Sequence, residues 1–322
     1  MQSKLLTVSQ LDRMIGAHSP EDAFRVLVEL QYAEYFDDST TPSDFLKIIE
    51  RGLLETKELI LKGSGNDPAF EFIWKSFDLN NLKRALKRRL IEEKSDLGEF
   101  TEENGFSDLG TLKEEDLQRV VFDEKEAENL PEEYSTVLRE AAEIFKKSES
   151  FREVEFAFDR AHFDFLARVA QEENSSFLRD LLGFLADSTN VRSLARSVLV
   201  INEKLPKAGF VPHGTFTFEL IQDIENFAGL MDFIRRTRFA TLYSGVDESF
   251  SPEEKLLSLE RKLDRAYQDF LHESQSGEIS SIQVPLMYFE RRLQNARLLK
   301  FIMFAKFYGL DPETIYKTLE HF

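Results

Sequence analysis

Asp37-Asp38 could do chemistry, because adjacent carboxylates can hold Mg2+ against a diphosphate when further acids complete the shell. Here Ser39-Thr40-Thr41 follows instead, and no second acidic cluster completes such a site. Lys62-Gly-Ser-Gly65 lacks the glycine spacing and trailing lysine of a phosphate loop and reads as a turn. The histidines, His18, His162, His213, His272 and His321, are scattered and form no His-Glu-x-x-His set, so the sequence predicts no metal site. With no cysteine there is no thiolate nucleophile, thiolate metal ligand or disulfide. No catalytic residue and no cofactor is expected.

The residues that do recur form a triplicated pattern. An acid, an arginine and a small residue are followed 31 positions later by an asparagine: Glu50-Arg51-Gly52 by Asn81, Asp159-Arg160-Ala161 by Asn190, Asp264-Arg265-Ala266 by Asn295. The second and third copies share six of eight residues from Asp159 to Leu166 and from Asp264 to Leu271. A second marker opens each copy: Gly110-Thr111-Leu112 matches Gly214-Thr215-Phe216, with a weaker form at Lys4-Leu5-Leu6. Both markers give a period of about 105 residues, the signature of tandem structural repeats. The expected domains are 1–103, 104–208 and 209–322.

The elements that position these residues are helical. Apolar residues recur at spacings of three and four, and no sustained apolar-polar alternation marks a half-buried strand. The fold class expected is all-α, three tandem similar helical domains, with the thirty phenylalanines mostly filling the core. Each 31-residue interval contains a break near its middle, at Gly63 to Asp67, Glu172 to Ser176 and Ser274 to Ser281. Pro68 suits a helical first turn. Each interval therefore reads as an antiparallel hairpin whose turn is equidistant from the two markers. That predicts a polar clamp across each hairpin, Glu50-Arg51 with Asn81, Asp159-Arg160 with Asn190 and Asp264-Arg265 with Asn295. Thr111 and Thr215 read as helix N-caps, each ahead of an acid in the first turn.

Fifty-nine acids against forty-one bases give a net charge of −18, which repels phosphate backbones and argues against nucleic acid as a partner. Basic residues nonetheless cluster at Lys83, Arg84, Lys87, Arg88 and Arg89, and at Arg235, Arg236 and Arg238. These read as solvated helix faces, with docking of Lys83, Arg84, Lys87 and Arg88 onto an acidic partner as the competing reading. No apolar run approaches the ~18–20 residues that cross a bilayer, and the N-terminus lacks a secretion-signal pattern, so a soluble, intracellular protein is expected.

With these residues in hand, the chain resembles the C subunit of the archaeal and bacterial V/A-type rotary ATPases, in the family that includes the d subunit of vacuolar ATPases. The resemblance is carried by Phe77-Asp-Leu-Asn-Asn-Leu-Lys-Arg-Ala-Leu-Lys87, by Asp187-Ser-Thr-Asn-Val-Arg192, and by Tyr288 to Leu299 with the closing Phe307-Tyr-Gly-Leu310. It covers essentially the whole length. The third copy departs by placing Arg292 where the first two have Asp78 and Asp187, and the family's further helical stretch before Ser3 is not seen. The resemblance implies a non-catalytic socket, a pseudo-threefold funnel of three helical domains at the cytoplasmic face of the membrane. Its implied partners are the central axle and the membrane proteolipid ring, with no membrane span of its own. The competing reading is a stand-alone helical-repeat adaptor.

Overall fold

A computed structural model describes residues 5–29, 40–64, 67–92, 105–122, 124–243, 246, 248–273 and 282–319. Asp37-Asp38 and His321 lie outside the described residues. Among those described there are twelve α-helices and no strand, as the apolar periodicity requires.

The chain forms two compact units, residues 1–67 with 278–322, and residues 68–277. The first holds α1 (Val8–Ile15), α2 (Pro20–Leu27), α3 (Phe45–Ser64), α11 (Gln283–Phe307) and α12 (Pro312–Leu319). Its starts are written locally. Thr7 and Gln10 exchange the reciprocal bonds of a capping box at α1, and Ser19 accepts from the Asp22 N–H ahead of Pro20 at α2. α3 packs along α11, where Phe45 meets Phe304 edge-on at 5.1 Å and stacks on Phe307 at 5.8 Å. The ammonium of Lys306, nearly buried, donates to the Ile15 and Ala17 carbonyls and so closes the C-terminal end of α1. Desolvation holds its pKa below the usual lysine value.

The second unit runs α4 (Glu71–Glu92), α5 (Glu114–Phe122), α6 (Glu132–Ser148), α7 (Phe151–Glu172), α8 (Ser176–Arg196), α9 (Phe227–Arg235) and α10 (Pro252–Glu273). Pro68 opens a short 3-10 turn, Pro68–Phe70, ahead of α4. The break between α7 and α8 falls where the spacing placed it, with Asn174 in the left-handed region at φ 46° and Ser175 capping the Leu178 N–H. Two apolar clusters support the unit. One joins α4 to α5, α6 and α7 through fully buried Leu82, Leu86, Leu117, Leu138 and Phe158. The other joins α8 to α9 and α10 through Leu194, Leu230, Ile234, Leu259 and Leu263. Each such side chain contributes ~1.5–3 kcal/mol when buried, so helix pairing here follows the apolar faces.

These contacts obey one rule. A long helix ending one sequence interval packs against the elements that follow it: α4 against α5 and α7, α8 against α9 and α10.

Candidate functional site

Asn81 and Asn190 lie on the apolar stripes of their helices, each four residues before a fully buried residue, Ala85 and Leu194. Asn81 is 1% and Asn190 0% exposed. A carboxamide buried there needs both a donor and an acceptor. Asn81 donates from Nδ2 to the Ser107 carbonyl at 2.8 Å and accepts the Ser107 N–H at 2.9 Å. Asn190 does the same with Val211, at 2.9 and 2.8 Å. Each thus holds one residue outside the helices by both its N–H and its carbonyl, as a neighbouring strand would.

One helical turn earlier stands a buried aspartate, and it grips the same segment four residues further along. Asp78 accepts from the Thr111 N–H and hydroxyl, both at 2.6 Å, from the Leu112 N–H at 2.9 Å and from the Tyr134 hydroxyl at 2.9 Å. Asp187 accepts from the Thr215 N–H and hydroxyl, both at 2.7 Å, and is paired with Arg238 at 3.3 Å. Burial, then the Asp78 charge, pushes the Tyr134 phenol well above its ordinary pKa, so its hydroxyl stays a donor. A Cβ built on Gly110 would lie 2.3 Å from Asp78 Oδ1, and one on Gly214 2.3 Å from Asp187 Oδ1. The Gly-Thr marker is therefore the gripped half of an Asp-x-x-Asn clamp. Neither threonine is a helix N-cap, which corrects the sequence reading: α5 begins at Glu114 and the short helix Phe218–Leu220 follows Thr217, because Thr111 and Thr215 turn their hydroxyls to the aspartates.

The acid-arginine markers go elsewhere. Of the three copies only the second has all its residues in one unit, and there Asn190 bonds Val211 rather than Asp159 or Arg160. Arg160 lines a cleft between α6 and α7. The acids pair with cations borne on the preceding long helix, Asp159 with Lys83 at 3.8 Å and Asp264 with Arg192. One turn away Glu155 pairs with Lys87, and Glu260 with Arg196 at 2.9 Å. The expected cross-hairpin clamp is thus corrected in the second copy for a physical reason. A helix buries its apolar face against the next segment, and its polar margin meets that segment's acids. Glu50 and Arg51 lie on α3, and Asn295 on α11, in the first unit. Arg265 is on α10. Arg292, in the aspartate's place, bonds the Gly52 carbonyl and the Thr56 hydroxyl, each at 3.2 Å.

This pairing also accounts for much of the basic cluster. Lys83 and Lys87 face α7, and Arg84 reaches the Gly105 carbonyl at 3.3 Å. Burial raises the Asp159 pKa, against the opposing pull of Lys83. His162, one turn on, has its Nε2 buried without a hydrogen-bond partner, and desolvation, then the Lys83 charge, lowers its pKa to about 4. The folded state holds this imidazole neutral, so its contribution is intact above pH ~6.5 and is lost as pH falls toward about 4. The loss reaches ~3 kcal/mol at the acid end. His162→Phe should flatten the difference between urea unfolding at pH 7 and at pH 4.5 relative to wild type. An unchanged slope would contradict the assignment.

Sequence reasoning missed the roles of Asp78, Asp187, Gly110 and Gly214, although the signal was present. In both copies the aspartate stands three before the asparagine and the threonine four after the gripped residue. Among the described residues no group of three or more histidines, cysteines or carboxylates could hold a metal, and no helix is long and apolar enough to cross a membrane.

Fold and site together define an all-helical protein whose repeated polar site grips its own backbone. The sequence profile of the ATP synthase (C/AC39) subunit family matches residues 1–318, and the chain belongs to that family. It is also 22% identical over 325 aligned positions to the C subunit of the A-type ATP synthase of Desulfurococcus sp. (strain SY), an alignment covering 98% of this chain and 86% of that protein.

Proposed function

We propose that this protein is the non-catalytic socket of an A/V-type ATPase or ATP synthase. It joins the central axle to the membrane proteolipid ring at the cytoplasmic face, so that rotation passes through it. Family membership across residues 1–318 is the observation that carries this reading. The clamps support it. A torque-bearing joint must not slip, and a backbone held by buried, charge-assisted hydrogen bonds at two places resists the shear of one helical layer on the next. The three-repeat division at 1–103, 104–208 and 209–322 belongs to the same proposal.

The test is capture of the purified chain by the axle proteins and by the detergent-solubilised ring, each alone and together. Retention by both supports the socket. Retention by neither, with the helical fold intact, favours the adaptor reading. The segment containing Lys83, Arg84, Lys87 and Arg88 can be tested within the same assay, since Lys87 is engaged with Glu155. Lys87→Glu should weaken capture. If the segment contacts a partner, adding Glu155→Lys, which restores the internal pair in reverse, leaves capture weak; full recovery would confine Lys87 to an internal role.

A further inference from the structure

The marker arginine is the same in all three copies, Arg51, Arg160 and Arg265, yet in two of them the fold leaves it idle. Asn81 and Asn190 hold backbone, and Asp159 and Asp264 pair with Lys83 and Arg192. Arg160 on α7 and Arg265 on α10, by contrast, make no hydrogen bond or ion pair among the described residues. Asp164, one turn after Arg160, is bonded to His213 Nε2 at 2.8 Å instead. Arg160 is half-buried, so its guanidinium has lost part of its hydration and gained no partner. An incoming carboxylate would displace no internal bond there.

The cleft that Arg160 lines, of about 570 Å3, is a groove along two consecutive helices. Its lining positions recur at intervals of four, three and four on both, from Glu133 to Ile144 on α6 and from Ala157 to Arg168 on α7. At 1.5 Å per residue that stripe runs ~16 Å, roughly three turns of a helix. Its apolar lining includes half-buried Val137 and Ile144 with buried Phe165. Charges stand on both walls. Glu133 and Arg168 satisfy each other at 2.6 Å, which leaves Arg160 on α7 and Glu140 on α6 as the unpaired charges among the lining residues.

We propose that this groove receives an amphipathic helix of the central axle, which sets apolar side chains on Val137, Ile144 and Phe165, a carboxylate on Arg160 and a cation on Glu140. Such an occupant matches the groove in length, in its apolar stripe and in both charges, and seats as a helix does between two others. Unpaired charges of both signs suit a helix that is wetted in the free partner, not the lipid-facing surface of the ring. The inference rests on the socket reading and adds to it the surface at which the axle is held.

The test is capture of the full chain by the isolated axle proteins at low salt. Wild type should be retained, and Arg160→Glu and Glu140→Lys should each weaken retention ~10-fold or more, as loss of one partner from an interfacial charge pair does. Tm should stay at the wild-type value in both, because neither side chain has a partner inside the chain. Arg160→Glu combined with Glu140→Arg exchanges the two charges and should remain weak; recovery would mean that the pair acts within the chain and would overturn the proposal. So would wild-type retention of either single variant. Failure of the axle to retain wild type removes the socket reading, and this inference with it. A second measurement covers a variant that does not fold. The chain has no cysteine, so Val137→Cys carries a benzophenone maleimide as its single label. Irradiation should crosslink it to an axle helix bearing an acid and a base, and the same label at Lys147→Cys, exposed on α6 outside the groove, should not. Equal crosslinking from both positions, or crosslinking to the ring alone in the assembled complex, would refute the groove.

Discussion

Gly214→Ala should destabilise the protein by ~3–5 kcal/mol, among the largest effects of any single methyl added to this chain. The new Cβ would sit 2.3 Å from Asp187 Oδ1, inside any real carbon-oxygen contact, so the carboxylate must leave its place. Asp187 has nowhere to go without loss. It is 0% exposed, and its oxygens accept the Thr215 N–H and hydroxyl and face Arg238. Hydrogen bonds to a charged acceptor contribute ~1.5–3 kcal/mol each, and displacing the acceptor forfeits more than one of them. The glycine is required by this approach rather than by its backbone torsion, since Gly214 is not among the residues with positive φ. Two further variants separate this mechanism from a general intolerance of the loop. In an Asp187→Ala background the same Gly214→Ala change should cost under ~1 kcal/mol, a coupling visible in a double-mutant cycle by denaturant unfolding. Gly105→Ala, with nothing within 4 Å of its added Cβ, should stay within ~0.5 kcal/mol of wild type. A full-sized loss from Gly214→Ala in both backgrounds would remove the carboxylate from the explanation.

Asp78→Ala should destabilise by ~4–5 kcal/mol and exceed Asp187→Ala. Both aspartates are 0% exposed, but their partners differ. Asp78 receives the Thr111 and Leu112 N–H groups and the Thr111 and Tyr134 hydroxyls, all within the protein. Truncation strands these donors, and each buried unsatisfied group costs ~1–3 kcal/mol. Asp187 shares its charge with Arg238, whose side chain is 36% exposed and can turn to water once released. Its loss is correspondingly smaller. Tyr134→Phe removes one of the four bonds to Asp78 and should cost ~1 kcal/mol. The ordering Asp78→Ala, then Asp187→Ala, then Tyr134→Phe can be read from urea midpoints at constant m-value. Reversal of the first two would mean that Arg238, not the gripped backbone, dominates the second clamp.

The helical class, the break between α7 and α8 and the buried position of Asn81 and Asn190 were legible in the sequence. Each depends on local periodicity or on chemistry within a few residues: apolar spacings of three and four, Ser175 as a cap, an asparagine four residues from Leu194. The 31-residue interval was legible too, but its meaning was not. A constant interval between an acid and an asparagine invites the conclusion that they meet, and in the second copy they do not. Asn190 holds Val211, and Asp159 faces Lys83 on α4.

Only the tertiary structure decided those partners, because spacing along one helix fixes which face a residue occupies, not which helix will cover that face. The covering helix is chosen by the summed burial of whole apolar faces, α4 against α5 and α7 and α8 against α10, and the polar residues at the margin then pair with whatever that packing brings near. The same reason explains why the sequence showed Gly110 and Gly214 only as part of a repeat marker and not as positions that need glycine. Their need for a bare Cα arises from a carboxylate 32 and 27 residues earlier in the chain, at Asp78 and Asp187, and exists only once the helices have packed.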